Sequence, residues 1–289
     1  MTSTDTSAPA HASGMFQIGG KTIHRLGYGA MRITGEGIWG PPADHEGALA
    51  VVRRAVELGV DFIDTADSYG PYVSEDLLAE ALAPYPEQVL IATKAGLLRH
   101  GPNKWISLGH PAYLRQEAEM SLRRLKLGRL ELLQLHRVDP NYPLADQVGE
   151  LKALQDEGKV GSVGLSNVSV DQLTEARGIT EIVTVQNRYN LTDRSSQDVL
   201  DYCTQNGVGF IPWAPVAAGD LAASGGPVDD VEKATGATAS QVSLAWLLAI
   251  SPIVLPIPGT ASIAHLEENV AAASVSLTPA QVEKLTSAT

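Results

Sequence analysis

The sequence VDFIDT, residues 60–65, is a short apolar run that ends in polar residues. A glycine-containing loop and an amphipathic stretch follow it, and this three-part unit recurs along the rest of the chain. Runs that are apolar throughout are typical of parallel strands with both faces buried. The further runs are VLIATK (89–94), LELLQLH (130–136), VGSVGLSN (160–167), IVTVQN (182–187), VGFIPW (208–213) and IVLPIPGT (253–260), with an eighth and earlier run at HRLGYGAM (24–31).

Helical patterns lie between these runs. The clearest covers Asp44 to Leu58, where apolar residues recur at helical spacing and Gly59 follows the end. Eight strands alternating with eight helices predict an α/β fold, and the count favours a closed (β/α)8 TIM barrel over an open doubly wound sheet. The other predicted helices cover residues 74–82, 111–127, 144–157, 169–177, 195–206, 239–250 and 262–273.

The open-sheet alternative lacks its glycine fingerprint. Gly27 and Gly29 form a GxG, but Ala30, Met31 and Arg32 follow them instead of the xxG that a dinucleotide-binding turn needs. A long loop also replaces the immediate helix of that motif.

The N-terminal region precedes the first barrel strand. The sequence FQIGGKTIH (16–24) predicts a short N-terminal β-hairpin that turns at Gly19-Gly20. Residues 1–14 have neither the basic nor the apolar region of a signal peptide, so we expect a disordered tail there. Residues 15–289 are then expected to form a single barrel domain.

Composition excludes several classes of protein. Lys and Arg number 21 against 33 Asp and Glu, so the net charge is −12 and we expect neither nucleic-acid nor membrane binding. The single cysteine, Cys203, cannot form an internal disulfide and suits a cytoplasmic protein. The seven histidines form no metal-binding spacing, so no metal site is expected.

Polar and aromatic residues at the ends of the predicted strands are the candidates for chemistry. In a (β/α)8 barrel the active site lies at the carboxyl ends of the strands, although polar residues also mark strand ends for purely structural reasons. Tyr69 follows Asp64, the first candidate along the chain, by five residues and can fold back over the barrel mouth. The strand-end candidates are Asp64, Lys94, His136, Asn167, Gln186 and Trp213.

These residues lie in motifs that resemble those of the aldo-keto reductases. The resemblance covers essentially residues 16–289, and within the family it is greatest to bacterial pyridoxal-reductase-like members, through GYGAMRITGEGIWGPP (27–42) and VQNRYNL (185–191). The motifs are FIDTADSYG (62–70), IATK (91–94), LLQLH (132–136), GLSN (164–167), VQN (185–187), IPGT (257–260) and HLEEN (265–269).

The resemblance implies that Asp64, Tyr69, Lys94 and His136 form a catalytic tetrad that reduces an aldehyde or ketone to an alcohol with NADPH. Physical chemistry agrees with these roles. Tyr69 would donate the proton, and the Lys94 ammonium would lower the pKa of the tyrosine. Asp64 would hold Lys94, and His136 would hydrogen-bond the substrate carbonyl.

The resemblance also implies where the nicotinamide end of the cofactor binds. Ser166, Asn167 and Gln186 match residues that hydrogen-bond the carboxamide, and Trp213 matches the aromatic residue that stacks on the ring. The loop 214–221 is expected to wrap the pyrophosphate with its backbone. The loop residues assigned to the cofactor are Pro215, Ala217, Gly219 and Leu221.

The phosphate end departs from the family pattern. Many members place an arginine or lysine soon after the GT of the last strand to hold the 2′-phosphate, whereas this chain has none there. Gly259 precedes a helix whose free N–H groups can bind a phosphate. We therefore expect NADPH, with NADH as an open alternative. The candidates are the hydroxyls of Thr260 and Ser262, the side chain of His265, and, near the adenine by the resemblance, Glu268 and Asn269.

Apolar and aromatic residues are predicted at the pocket rim: Met31, Trp39, Trp105 and Ile106. They suit a small carbonyl substrate with a ring or alkyl body. Two alternative functions stay open. Lys94 at a strand end is also compatible with a Schiff-base aldolase, and the same fold is compatible with a cofactor-sensing binding protein that turns over slowly.

Overall fold

Seven parallel strands form one curled sheet in the computed structural model, which describes residues 8–216 and 223–288. The strands of the described chain are β1 (Met15–Ile18), β2 (Lys21–His24), β3 (Tyr28–Gly29), β4 (Phe62–Asp64), β5 (Leu90–Ala95), β6 (Leu97–Arg99), β7 (Trp105–Ser107), β8 (Leu130–Leu135), β9 (Val160–Ser166), β10 (Ile182–Arg188) and β11 (Gly209–Trp213). The sheet order is β3-β4-β5-β8-β9-β10-β11, and β1-β2 and β6-β7 are separate antiparallel hairpins.

The helices alternate with the strands and bury their apolar faces against the sheet. Within the described residues they are α1 (His45–Glu57), α2 (Val73–Leu82), α3 (Pro111–Arg124), α4 (Leu144–Asp156), α5 (Val170–Arg177), α6 (Gln197–Asn206), α7 (Pro227–Thr235), α8 (Ala239–Ile250), α9 (Ile263–Ala271) and α10 (Pro279–Thr286). Helices α7 and α10 and the hairpin β6-β7 were not predicted. In the same residues, no helix combines the length and the apolar character that crossing a bilayer requires.

The segment 253–258 closes the sheet into the predicted (β/α)8 barrel, although it is not a regular strand. On one side its backbone exchanges hydrogen bonds of 2.8 and 2.9 Å with Phe210 of β11. On the other side its carbonyls accept from the N–H groups of Gly27 and Gly29, at 2.9 and 3.2 Å. Prolines within the segment have no N–H, which explains why the run 253–260 does not form a complete ladder.

The predicted N-terminal hairpin covers the barrel at the end opposite to the predicted active site. Ile18 and Ile23 of the hairpin are buried in the same apolar cluster as Phe62 and Leu90, the first residues of β4 and β5. The rest of this interior cluster consists of Ala92, Leu132, Ile211, Leu255 and Ile257.

Residues just before the hairpin are also packed. Pro9–Ser13 forms a 3-10 helix, in which the Ser13 hydroxyl donates to the Ala10 carbonyl at 2.7 Å. Ala10 is buried, and its N–H donates to the carbonyl of Leu58 at 3.1 Å. The expectation of a disordered tail over residues 1–14 is therefore wrong for this helix, because the small apolar side chain of Ala10 is buried beside the end of α1.

Candidate active site

A buried lysine organises the first candidate residues. Asp64 ends β4, and Lys94 lies on the neighbouring strand β5. The Lys94 Nζ atom donates to Asp64 Oδ2 at 2.6 Å, to the Thr65 carbonyl at 2.8 Å and to Tyr69 Oη at 3.3 Å. An ammonium has three hydrogens to donate, so every donor of this fully buried side chain has an acceptor.

The second oxygen of Asp64 is also occupied. Its Oδ1 atom accepts from Gln186 Nε2 at 2.7 Å and from Gln134 Nε2 at 3.2 Å. Gln186 was predicted as a cofactor ligand, and Gln134 was missed. Alternation along β8 could have found Gln134, since it lies two residues before His136 and therefore points to the same face. The two amides fix the carboxylate that holds Lys94.

The charge states of Lys94 and Tyr69 follow from their burial and from each other. Burial opposes the Lys94 ammonium, but Asp64 and Tyr69 outweigh it and raise the pKa of the lysine. Burial raises the pKa of Tyr69, and the nearby Lys94 ammonium offsets this only in part. Lys94 lowers the pKa of Tyr69 as expected, but the net shift is upward, because desolvation outweighs the ammonium. Tyr69 holds its proton at neutral pH.

His136 directly follows β8 and faces the cavity. Burial holds the pKa of its imidazole well below the ordinary value, and the positive charges of Lys94, Arg137 and Arg99 lower it further. The Nδ1 atom lies 3.2 Å from the Ser68 hydroxyl oxygen. At neutral pH the imidazole is therefore neutral, with one ring nitrogen in contact with Ser68.

The hairpin β6-β7, which was not predicted, places the Trp105 ring beside Tyr69 and His136. The Trp105 ring lies edge-on to the rings of Tyr69 and His136, with centroids 6.3 and 6.4 Å away. The guanidinium of Arg99 lies 3.6 Å from the Trp105 ring centroid and donates to the carbonyl of Ser68 at 2.8 Å. Arg99 thus ties Trp105 to the loop that carries Tyr69.

Asn167 and Trp213 are joined at the ends of β9 and β11. The Trp213 indole N–H donates to Asn167 Oδ1 at 3.0 Å. The Asn167 amide donates to Ser166 Oγ at 2.8 Å, and its backbone adopts a left-handed φ of 56°. Arg188 lies 5.5 Å from the Trp213 ring centroid. The Asn167 amide therefore holds Trp213 through its oxygen and Ser166 through its nitrogen, and all three residues line the cavity.

Two glycines let the backbones of β3 and the closing segment meet. A Cβ atom on Gly29 would lie 2.7 Å from the Ile257 carbonyl oxygen, and one on Gly259 would lie 2.8 Å from that of Gly29. Real Cβ atoms do not approach so closely, so no other residue fits at either position. Because neither glycine has a side chain, the backbone of Gly29 and of Gly259 itself lines the cavity.

One cavity of about 750 Å³ collects most of the predicted residues. Those that line it are Asp64, Tyr69, His136, Ser166, Asn167, Gln186, Trp213, Pro215, Gly259, Thr260, His265, Glu268, Asn269, Met31 and Trp105. Ala214 and Val216, which belong to the predicted pyrophosphate loop 214–221, line it as well. Lining residues that were not assigned to the site are Gly29, Arg32, Ile38, Leu97, Asn103, Arg137, Ser240, Ile257 and Pro258. Ala217, Gly219 and Leu221 lie outside the described residues.

Four predicted site residues do not line the cavity. Lys94 lies behind Asp64 and Tyr69, and Ser262 instead caps α9 by accepting from the His265 N–H at 3.4 Å. The rim predictions Trp39 and Ile106 are not among the lining residues. Ile106 is 43% exposed because successive residues of β7 face opposite sides, and its neighbour Trp105 takes the inward side. Trp39 is 37% exposed and lies 5.8 Å from the Arg99 guanidinium, outside the cavity wall.

Arg32 supplies a cation near Gly259, where the sequence soon after the last strand has neither arginine nor lysine. It lies in the short 3-10 helix Ala30–Ile33 and lines the cavity beside Gly259, where a Cβ atom would lie 3.6 Å from Arg32 Cγ. The signal was present in the sequence, since Arg32 stands three residues after Gly29 at the end of a barrel strand.

The family model for the aldo/keto reductase family matches residues 25–289. The chain belongs to the aldo/keto reductase family. It is 48% identical to an uncharacterized oxidoreductase of Schizosaccharomyces pombe, over 98% of this chain and 92% of the relative. It is 40% identical to the pyridoxine 4-dehydrogenase of Escherichia coli, over 92% of this chain and 95% of the relative. Both agree with the resemblance found in the sequence.

Solved structures of aldo-keto reductases share the fold. A thermostable aldo-keto reductase in complex with the inhibitor epalrestat is 27% identical, with a TM-score of 0.85 over 96% of this chain and 100% of that one. An aldo/keto reductase from Klebsiella pneumoniae in complex with NADP and acetate is 26% identical, with a TM-score of 0.78 over 94% and 93% of the two chains. This aldo/keto reductase is thus an oxidoreductase that uses a nicotinamide cofactor.

Proposed function

We propose that this aldo/keto reductase reversibly reduces an aldehyde or ketone to an alcohol with NADPH, and that Tyr69 donates the proton. The observation that carries the proposal is the buried hydrogen-bonded chain from Asp64 through Lys94 to Tyr69, whose end meets His136 at the cavity wall. Reducing a carbonyl needs a hydride on carbon and a proton on oxygen. The bound reduced nicotinamide supplies the hydride.

Tyr69 supplies the proton from its Oη atom. Its raised pKa keeps that proton in place until the substrate oxygen gains negative charge. When the proton leaves, the Lys94 ammonium at 3.3 Å stabilises the tyrosinate that forms. Asp64 keeps the ammonium charged and aimed, so the compensating charge is already in place before the reaction.

His136 positions the carbonyl. A neutral imidazole that accepts the Ser68 hydroxyl at Nδ1 carries its hydrogen on Nε2 and can donate it to the substrate oxygen. A charged imidazolium would compete with Tyr69 as the proton donor. The lowered pKa of His136 therefore supports a positioning role for the histidine and proton transfer by the tyrosine.

The residues at the other end of the cavity fit the cofactor. Gln186 commits its Nε2 atom to Asp64, which leaves its Oε1 atom and the Ser166 hydroxyl for the carboxamide. Trp213 offers the stacking surface. Open backbone at Gly259, the start of α9 and the Arg32 guanidinium suit the phosphates. Arg32 adds a permanent cation to the predicted phosphate groups, which are the helix N-terminus, the hydroxyls of Thr260 and Ser262, and His265, and this charge favours NADPH.

The aldolase alternative needs a neutral, accessible lysine amine. Lys94 is fully buried, donates three hydrogen bonds and has a raised pKa, so it is a poor nucleophile. A slow-turnover cofactor sensor would use the same cavity, and only the turnover rate separates it from a reductase.

The test is NADPH oxidation against aldehydes, quinones, sugars and pyridoxal, with the alcohol product identified by mass spectrometry. The name of the relative pyridoxine 4-dehydrogenase makes pyridoxal the first compound to try. We expect multiple turnovers with at least one aldehyde and a stoichiometric alcohol. Tight NADPH binding without turnover on any carbonyl would favour the sensor, and borohydride trapping of a substrate on Lys94 would favour the aldolase.

A further inference from the structure

Two exposed arginines, Arg32 and Arg137, line the cavity. Within residues 8–216 and 223–288, their side chains make no hydrogen bond and no ion pair with another residue. Arg99, nearby, is different, because its guanidinium is buried and donates to the carbonyls of Ser68, Lys104 and Gly37. Arg99 is therefore held in place against Trp105, whereas the side chains of the two lining arginines are open to a ligand.

The two lining arginines lie at different parts of the cavity. Arg32 is beside Gly259, at the end that suits the cofactor phosphates. Arg137 directly follows His136 in the chain, and both residues line the cavity. Arg137 therefore belongs to the part of the lining that carries the catalytic histidine, and its positive charge helps to hold the pKa of that histidine below the ordinary value.

The surroundings of Arg137 give the substrate few other charged groups to meet. The lining near the catalytic residues includes the side chains of Trp105, Leu97 and Met31, and the carboxylate of Asp64 is already saturated. Arg137 is exposed where it lines the cavity, so its charge is open to a substrate, and a neutral substrate offers that charge no partner. An anionic group on the substrate restores a charge-assisted hydrogen bond.

We propose that the preferred carbonyl substrate carries an anionic group, a carboxylate or a phosphate, which Arg137 binds. This inference rests on the proposed carbonyl reduction and adds the substrate class to it. Arg137 acts as a specificity-determining residue, and the bond it forms should favour the anionic member of a matched substrate pair by about tenfold to a hundredfold in kcat/KM.

The test compares substrates that differ only in charge. The first arm measures kcat/KM for 2-, 3- and 4-carboxybenzaldehyde against their methyl esters, and the second compares pyridoxal 5′-phosphate with pyridoxal. In the wild-type protein we expect the anion to be preferred by at least about tenfold in one arm. In Arg137→Gln that ratio should fall to near one, and Arg137→Lys should keep much of it. Added salt should lower the ratio in the wild type and leave it unchanged in Arg137→Gln.

Arg123→Gln is the matched control, since it removes the same charge from an exposed arginine of α3 outside the cavity lining, and it should keep the wild-type ratio of anion to neutral substrate. Equal kcat/KM for charged and neutral partners in both arms, or a preference that survives in Arg137→Gln, would overturn the inference while leaving carbonyl reduction intact. Failure of the wild type to oxidise NADPH with any of these carbonyls would contradict the proposed function itself, and the inference with it.

Discussion

The Nζ atom of Lys94 lies 3.3 Å from the Oη atom of Tyr69, and the lysine makes no contact with the cavity that the tyrosine lines. The ammonium can therefore act on a substrate only through the tyrosine. Because Asp64 and the Thr65 carbonyl occupy the other two donors, the lysine has no freedom to turn toward a ligand. This arrangement makes Lys94 an electrostatic partner of the proton donor.

The Asp64–Lys94 pair predicts a large loss of stability when one partner is removed. Asp64→Asn leaves a fully buried ammonium without its counter-charge, so the free energy of unfolding should fall by about 3–5 kcal/mol. Urea denaturation measures this. The double variant Asp64→Asn with Lys94→Met should recover much of the loss. The matched control is Asp156→Asn, which breaks an exposed pair with Lys152 and should not change stability measurably.

The shifts at Tyr69 and His136 predict a broad pH range for reduction. Tyr69 must be protonated to donate, and its pKa is raised above the ordinary 10.0, so the donor form persists to higher pH. His136 must be neutral, and its pKa is lowered well below 6.5, so the neutral form persists to lower pH. We therefore expect kcat/KM to stay level between about pH 6.5 and about pH 10. A loss of activity with a midpoint near neutrality would show that one of these two assignments is wrong.

Trp213 should report cofactor binding. Of the four tryptophans, only Trp213 and Trp105 line the cavity, while Trp246 is fully buried elsewhere. If the nicotinamide stacks on Trp213, NADPH should quench tryptophan fluorescence, and Trp213→Ala should remove most of the quench. Trp39→Phe, which changes a tryptophan outside the cavity, should retain it. A full quench in Trp213→Ala would place the nicotinamide elsewhere in the cavity.

Arg32 should contribute to cofactor affinity. Replacing it by Gln removes a cation beside Gly259, so we expect the Kd for NADPH to rise by about tenfold to a hundredfold. Calorimetry with NADPH and NADH distinguishes a contact of Arg32 with the 2′-phosphate from a contact with the pyrophosphate. An effect confined to NADPH assigns the 2′-phosphate, and an equal effect on both cofactors assigns the pyrophosphate. An unchanged Kd for both would remove Arg32 from the cofactor site.

The sequence was enough to predict those residues whose positions follow from the local pattern of apolar and polar residues. Asp64, Lys94 and His136 were found because each lies at or beside the end of an apolar run, and parallel strands bring those ends together. The close packing of Gly29 against Gly259 was already contained in the order of the strands, since the first and last members of a barrel must be neighbours.

Other features depend on contacts that no local pattern contains. Arg99 takes its role from carbonyls in two distant loops, at Ser68 and Gly37, so the hairpin that carries it could not be placed from its own sequence. The net pKa of Tyr69 depends on how deeply the folded chain buries the ring, which outweighs the predicted effect of Lys94. Arg137 was missed because the apolar run ends at His136 and a following arginine has no periodicity to mark it.

Replacement of Tyr69 by Phe, followed by measurement of single-turnover NADPH oxidation with the best aldehyde from the screen, isolates the proton donor. The change keeps the ring against Trp105 and removes only the hydroxyl. We expect the rate to fall by about 10²–10⁴ while the Kd for NADPH, read from fluorescence, stays close to the wild-type value. A rate near that of the wild type would contradict Tyr69 as the proton donor and, with it, the mechanism proposed for this aldo/keto reductase.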